Sequence, residues 1–136
     1  MTIKSTIHGP FLLVEAFDVL EMNDLPPLFS AFEAAHRAGP FVVLTDTMRL
    51  KSAPRAVIAG FADGLKRLPP LSKTWLGDAV VVSSPAVRFV LSTLFILAPM
   101  PTQVKAFDHF PDAKRWCIEV LGTRGLCIPA ELRKSA

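Results

Sequence analysis

Polar side chains that could do chemistry follow two apolar stretches of the sequence. The stretches are 41–44 and 79–82, and the polar residues after them are Thr45, Asp46 and Thr47, and then Ser83 and Ser84. If both stretches are buried parallel strands, these residues meet at the carboxyl edge of the sheet, where open α/β sheets place their sites. A carboxylate beside hydroxyl groups at that edge is the arrangement of an aspartate phosphoacceptor.

The rest of the sequence does not complete a phosphoacceptor site of the response-regulator type. Such a receiver needs an acidic pair after its first strand to hold Mg²⁺, and residues 5–9 supply none. It also needs two helices before the strand that carries the Asp, whereas the pattern here predicts one. We therefore expect Asp46 to order a loop, as a strand-terminal Asp commonly does.

Other catalytic residue types are scattered along the chain. His8, His36 and His109 show no metal-ligand spacing. Cys117 falls on an apolar helix face, and neither it nor Cys127 has a histidine close by in the sequence. The glycines do not gather into a phosphate-binding loop. We therefore expect no catalytic residues, no metal, no cofactor and no enzymatic activity.

Charge and composition narrow the classes of partner. The chain has 136 residues, 51% of them hydrophobic, and a net charge of +3. That length and composition predict one domain with a packed core, spanning 1–136 with 122–136 as a C-terminal tail. The basic residues are spread over several segments and tyrosine is absent, so we expect no nucleic-acid binding.

The apolar segments are too short or too interrupted for export or membrane insertion. Glu15 and Asp18 follow the apolar residues 11–14, so we expect no signal peptide. The uncharged stretch 89–104 contains two prolines and is shorter than the ~20 residues that a membrane-spanning helix needs. Together with two cysteines that form no disulfide framework, this predicts a cytoplasmic protein.

Hydrophobic periodicity predicts an alternation of strands and helices. The expected order is ββαβαβαβα, an α/β fold with a four- to five-stranded mixed sheet and helices mainly on one face. Val43, Leu44, Val80, Val81 and Val82 should lie centrally in that sheet. Ser52 is expected to cap the second helix, which has Pro54 in its first turn.

The third predicted helix, 86–98, is apolar on more than one side. Val87, Val90, Leu91, Leu94 and Ala98 already form a complete core face, and Phe89, Phe95 and Ile96 lie off it beside Arg88 and Ser92. A helix that is apolar nearly all round is buried on more than one side. Either the tail, through Leu126 and Ile128, covers the extra surface, or another molecule does.

The amino-acid sequence of several segments resembles the STAS/SpoIIAA-like superfamily, in particular small bacterial stand-alone STAS-like proteins. These segments are FVVLTDTMRLKSAP at 41–54, AVVVSSPAVRFVLSTLFILAPMPTQVKAF at 79–107 and FDHFPDAKRWC at 107–117. The resemblance covers roughly residues 3–121. It implies a sheet with helices mainly on one face and a regulatory role through protein contacts.

Some members of that superfamily are anti-sigma-factor antagonists that are switched by phosphorylation of a serine where the second helix begins. The resemblance makes Ser52 a candidate phosphoacceptor, although the chain has Lys51-Ser52-Ala53-Pro54 in place of the usual Asp-Ser-Ser/Thr-Gly turn. The helix dipole, Lys51 and Arg55 would favour a phosphate there.

Two functions remain open from the sequence. The first is a non-enzymatic regulatory module of STAS type that binds a protein partner through Arg88, Phe89, Ser92, Phe95 and Ile96, with a homodimer as the first partner to expect. The alternative is a carrier or sensor of a lipid-like or other apolar small ligand. A flat apolar patch at these residues would favour a partner, and an enclosed apolar cavity would favour a ligand.

Overall fold

The computed structural model describes residues 2–97, 100 and 102–126. In this part of the chain an N-terminal hairpin is followed by alternating helices and strands. The elements are β1 Ile3–His8, β2 Phe11–Val19, a 3₁₀ turn Met22–Asp24, α1 Leu25–Ala38, β3 Phe41–Ser52, α2 Arg55–Arg67, β4 Trp75–Val81, α3 Pro85–Leu97, β5 Val104–Phe107 and α4 Phe110–Thr123.

The strands form one mixed sheet in the order β1-β2-β3-β4-β5. β1 is antiparallel to β2, and each later neighbour pair is parallel. The predicted α/β fold and its element order are confirmed. Val43 and Val81 are fully buried within β3 and β4, as expected for strands that are covered on both faces.

Three helices cover one face of the sheet and α4 covers the other. Alternate residues of β2 show the division, because successive side chains of a strand point to opposite faces. Leu12 packs in the same buried cluster as Phe32 of α1, whereas Phe11 packs with Cys117 and Leu121 of α4. The prediction of helices mainly on one face is therefore confirmed.

The helix α4 packs closely on the backbone of β4. The indole of Trp116 lies over Gly77, where a Cβ would come within 2.9 Å of a ring carbon. Because that is closer than real Cβ atoms approach a ring, glycine is required at this position for the helix to reach the sheet.

The strand β3 is longer than the sequence predicted, and this changes the role of one residue. Its pairing with β2 continues through two register shifts as far as Val19 and Ser52. Ser52 is therefore the last residue of a strand, and Pro54 holds the N-cap position of α2. The prediction that Ser52 caps α2 was wrong, because strand pairing extends beyond the apolar run that suggested the strand's end.

Candidate functional site

The predicted site at the carboxyl edge of the sheet does not come together as expected. Since β3 runs on to Ser52, Thr45, Asp46 and Thr47 lie within the strand. The Asp46 carboxylate accepts a hydrogen bond of 3.0 Å from the backbone N–H of Met48. It orders the backbone within β3. The prediction that Asp46 ends the strand and orders a loop was wrong, because β3 continues to Ser52.

The neighbouring threonines turn into the interior instead. The Thr47 hydroxyl donates to the carbonyl oxygen of Val81 at 2.7 Å, and the Thr45 hydroxyl donates to a carboxyl oxygen of Asp78 at 3.0 Å. After β4, the Ser84 hydroxyl accepts a hydrogen bond of 3.4 Å from the N–H of Val87 and so caps the start of α3.

The histidines and the described cysteine are not gathered into a metal-binding group in the part of the chain that the structure describes. Within residues 2–97, 100 and 102–126, no three His, Cys, Asp or Glu side chains lie close enough together to hold a metal ion. His36 Nδ1 lies 2.7 Å from the hydroxyl of Thr74. Cys117 is buried, and its burial, helped by the charge of Asp78, raises the pKa of the thiol well above its usual range. Cys127 lies outside the described residues.

Ser52 is exposed at the end of β3. Its carbonyl oxygen accepts a hydrogen bond of 3.2 Å from the N–H of Leu20. Lys51 beside it forms an exposed ion pair of 3.7 Å with Asp18, and Arg55 begins α2. The hydroxyl is thus open to solvent close to basic side chains, and its phosphorylation stays a prediction.

The outward side of α3 carries exposed apolar side chains. Phe89 is 74% exposed and Ile96 is 82% exposed, and Leu97 beside them is 45% exposed. Phe89 and Ile96 are seven residues apart, so they lie on the same side of the helix, two turns from each other. We call this surface, with Ser92 and Thr93 between its two ends, the outer face of α3.

Hydroxyl groups on the outer face are bonded within the helix itself. The Ser92 hydroxyl donates to the carbonyl oxygen of Arg88, and the Thr93 hydroxyl donates to that of Phe89, each at 3.0 Å. The guanidinium of Arg88 donates to the carbonyl oxygen of Val82 at 3.1 Å and to Asp108 at 2.7 Å. This arginine therefore ties the first turn of α3 to the ends of β4 and β5.

One residue predicted for this surface lies on the other side of the helix. Phe95 is half-buried and lines a cavity with Leu91 and Leu94. The prediction that it joins Phe89 and Ile96 in one patch was wrong. Because α3 packs against both α2 and β3, the buried arc of the helix is wider than the five residues first assigned to it.

The chain's own C-terminal residues do not cover the outer face where they are described. Leu126 packs against the buried cluster formed by α4 and the sheet. Ile128, the other residue expected to cover α3, lies outside the described residues.

The cavity has a volume of about 120 Å³ and lies between the sheet and the helices α1, α2 and α3. Its walls are apolar except where Thr45, Thr47 and Asp78 of the sheet reach it. Asp78 was not predicted from the sequence as a site residue. The signal was a single acidic residue inside the buried run of β4.

Asp78 is an acidic side chain in an apolar interior. It is 5% exposed, and among the described residues only the Thr45 hydroxyl donates a hydrogen bond to its carboxyl group. Burial raises the pKa of this carboxyl to about 7, and the hydrogen bond from Thr45 opposes that rise. Near neutral pH the group therefore exists in both its protonated and its ionised form.

Among the described residues, no helix is long and apolar enough to cross a bilayer.

Comparison with known proteins gives the fold. No family model and no curated protein matches the sequence. A protein of the DUF3478 family from Shewanella loihica PV-4, solved and described with a SpoIIAA-like fold, is similar in structure with a TM-score of 0.58. It is 18% identical, and the alignment covers 85% of this chain and 91% of that one.

Two further solved structures are similar. An anti-sigma factor antagonist from Mycobacterium paratuberculosis has a TM-score of 0.53 at 18% identity, over 86% of this chain and 93% of its own. The anti-sigma factor antagonist SpoIIAA in its unphosphorylated form has a TM-score of 0.55 at 12% identity, over 91% and 99%. The chain therefore has the SpoIIAA-like fold, as the resemblance in its sequence predicted.

Proposed function

We propose that this chain, which has the SpoIIAA-like fold, is a non-enzymatic regulatory domain of STAS type that binds a protein partner through the outer face of α3. The observation that carries the proposal is the exposure of Phe89 and Ile96 on one side of a helix whose opposite side is packed in the core. Anti-sigma factor antagonists among the similar structures support a regulatory role.

Burying the outer face would leave no hydroxyl unsatisfied. The side chains of Ser92 and Thr93 already donate to carbonyl oxygens of their own helix. A buried polar group without a partner costs about 1–3 kcal/mol, and here that cost does not arise. The apolar side chains at either end would contribute about 25 cal/mol for each Å² removed from water.

The edge of this surface is polar. Arg88 and Asp108 form an ion pair of 2.7 Å in which both side chains are substantially exposed. Charged groups at the rim of an interface stay hydrated and contribute more to specificity than to affinity. We therefore assign Arg88 to the rim and Phe89 and Ile96 to the centre, with Ser92 between them rather than at the rim. Phe95, being turned inward, has no place in this contact.

The first partner we propose is a second copy of the chain. Closed two-fold dimers are the commonest oligomers of soluble proteins, and a helix face can pair with itself in antiparallel orientation. The two-fold axis would pass between Ser92 and Thr93, which are midway between Phe89 and Ile96. Each Phe89 would then contact Ile96 of the second copy. We expect this assembly in the cytoplasm.

Sedimentation velocity tests the proposal. The native chain should sediment as a dimer at micromolar concentration, and the Ile96→Glu chain as a folded monomer, because the substitution would bury a charge in the contact. The matched control is Ala59→Glu, which places the same charge at an exposed position of α2 and should leave the dimer intact. A native chain that stays monomeric would contradict self-association.

We also propose Ser52 as a phosphoacceptor that regulates this domain. Its hydroxyl is exposed, and a phosphate there would lie close to the positive end of the α2 dipole and to Lys51 and Arg55. Mass spectrometry of the protein isolated from its own cells tests this. A phosphate on Ser52 supports the proposal, and phosphate found only at other residues, or at none, contradicts it.

A further inference from the structure

The cavity beneath α3 has the size of a site for a small molecule. Its volume is about 120 Å³, and an apolar cavity of about 150 Å³ engineered in another protein binds benzene. A molecule of about six or seven non-hydrogen atoms, the size of benzene or phenol, would fill such a space. An acyl chain would not fit, so a lipid is excluded as an occupant that lies wholly inside.

The helical walls of the cavity are apolar. Val57 and Phe61 of α2 and Leu91, Leu94 and Phe95 of α3 line it. These side chains offer an occupant dispersion contacts and no hydrogen bonds. The body of any molecule bound there must therefore be apolar.

The polar side chains that line the cavity come from the sheet, and the two hydroxyl groups among them already donate hydrogen bonds within the protein. The Thr47 hydroxyl donates to the carbonyl oxygen of Val81, and the Thr45 hydroxyl donates to Asp78. The Asp78 carboxyl has two oxygens and can accept about four hydrogen bonds. Among the described residues Thr45 is the one donor to this carboxyl group. The carboxyl group can therefore accept further hydrogen bonds, and a ligand could supply the donor.

We propose that this cavity binds a compact, neutral, largely apolar molecule with one hydroxyl group, of which phenol is the simplest representative, and that the hydroxyl group binds to Asp78. A buried polar group with unused bonding capacity costs free energy, and a ligand hydroxyl would reduce that cost. The proposal does not depend on the proposed protein partner, because the cavity lies on the opposite side of α3 from Phe89 and Ile96.

A hydroxyl group suits this carboxyl in either of its protonation states. It donates to the ionised form, and it accepts from the protonated form while still donating. Burial places the pKa of Asp78 at about 7, so both forms must be satisfied near neutral pH. An ammonium group would suit only the ionised form, and its desolvation would offset much of the ion-pair attraction.

Three probes built on one aromatic ring separate these chemistries: phenol, benzene and benzylamine, each titrated into the isotope-labelled chain at neutral pH. Phenol should shift the amide signals of residues around Asp78 and Leu94 and bind up to about tenfold more tightly than benzene, as one buried hydrogen bond allows. Equal affinity for phenol and benzene would overturn the role of Asp78. Tighter binding of benzylamine would overturn the neutral ligand class.

Two variants locate the site. The Thr45→Val/Asp78→Leu chain replaces both partners of the hydrogen bond by apolar side chains of similar shape. Phenol should then bind no better than benzene. Leu94→Trp fills the space and should abolish binding of both. Asp63→Asn, at an exposed position of α2 outside the cavity and the proposed interface, is the control and should bind phenol as the native chain does.

A variant that fails to fold does not decide the matter, because the phenol and benzene comparison on the native chain does so alone. The proposal is overturned if no probe binds at millimolar concentration. It is also overturned if the shifted signals belong to Phe89 and Ile96 rather than to the cavity walls. In either case the proposed protein interface would be unaffected, since sedimentation tests it separately.

Discussion

Phe95 and Ile96 are neighbours in the sequence, yet they lie on different sides of α3. Phe95 lines the cavity between the helix and the sheet, whereas Ile96 is 82% exposed. Successive residues of a helix are about 100° apart, which is enough to separate an inward from an outward position. This division assigns one residue to the core and the other to the proposed interface.

The same division predicts different effects on stability. Phe95→Ala should lower the free energy of unfolding by about 2 kcal/mol, less than a fully buried Phe would because the side chain is half-buried. Ile96→Ala should change it by no more than about 0.5 kcal/mol. Urea denaturation, carried out at a concentration where the chain is monomeric, measures both. Equal losses in the two variants would contradict the assignment of sides.

The buried carboxyl of Asp78 predicts a dependence of stability on pH. Its pKa is raised from 3.8 to about 7 in the folded chain. Between these values the folded state binds more protons than the unfolded state, so the free energy of unfolding falls as pH rises. The loss is complete above about pH 7 and is on the order of 4 kcal/mol.

Asp78→Asn should remove most of this dependence, because the amide stays neutral while its oxygen can still accept from Thr45. The variant should be more stable than the native chain at pH 8 and should lose that advantage at pH 4. Thermal melting across this range measures it, with Asp63→Asn on the exposed side of α2 as the control. If the melting temperatures of the native and Asp78→Asn chains change with pH in the same way, the Asp78 carboxyl is not the group that causes the pH dependence.

Two serines before helices should differ in their contribution to stability. Ser84→Ala should cost about 1 kcal/mol, because its hydroxyl accepts a hydrogen bond from the N–H of Val87. Ser52→Ala should be within about 0.5 kcal/mol of the native chain, because Pro54 holds the N-cap position of α2. Chemical denaturation of the two variants side by side measures the difference. If Ser52→Ala lowered the free energy of unfolding as much as Ser84→Ala does, Ser52 would act as a helix cap.

The strands and helices could be predicted from the sequence because each carries its own hydrophobic period. Long apolar runs at 41–44 and 79–82 indicate strands buried on both faces, and prolines mark where helices begin. The end of β3 could not be predicted in this way, because it depends on pairing with β2 as far as Val19. That pairing is a long-range contact, and the local pattern does not contain it.

The candidate site was only partly predictable for the same reason. The exposure of Phe89 and Ile96 follows from their place opposite the core face of α3. Phe95 lies at the boundary of that face, so the side to which its side chain points depends on how α3 packs against α2 and β3. Asp78 was overlooked because its strand resembles any buried strand. A single acidic residue within an apolar run of strand length is a signal that could have identified it.

Isotope-filtered nuclear Overhauser spectroscopy would record the proposed contact between two copies of α3 itself. The sample mixes chains labelled with ¹³C and unlabelled chains, so that only contacts between two copies are recorded. Within one chain, Phe89 and Ile96 are about 10 Å apart along the helix axis, too far for such a contact. The proposed antiparallel dimer should give intermolecular signals between the Phe89 ring and the Ile96 methyl groups. Intermolecular signals that arise from another surface would contradict this dimer. A chain that is monomeric and gives no intermolecular signals would also contradict it.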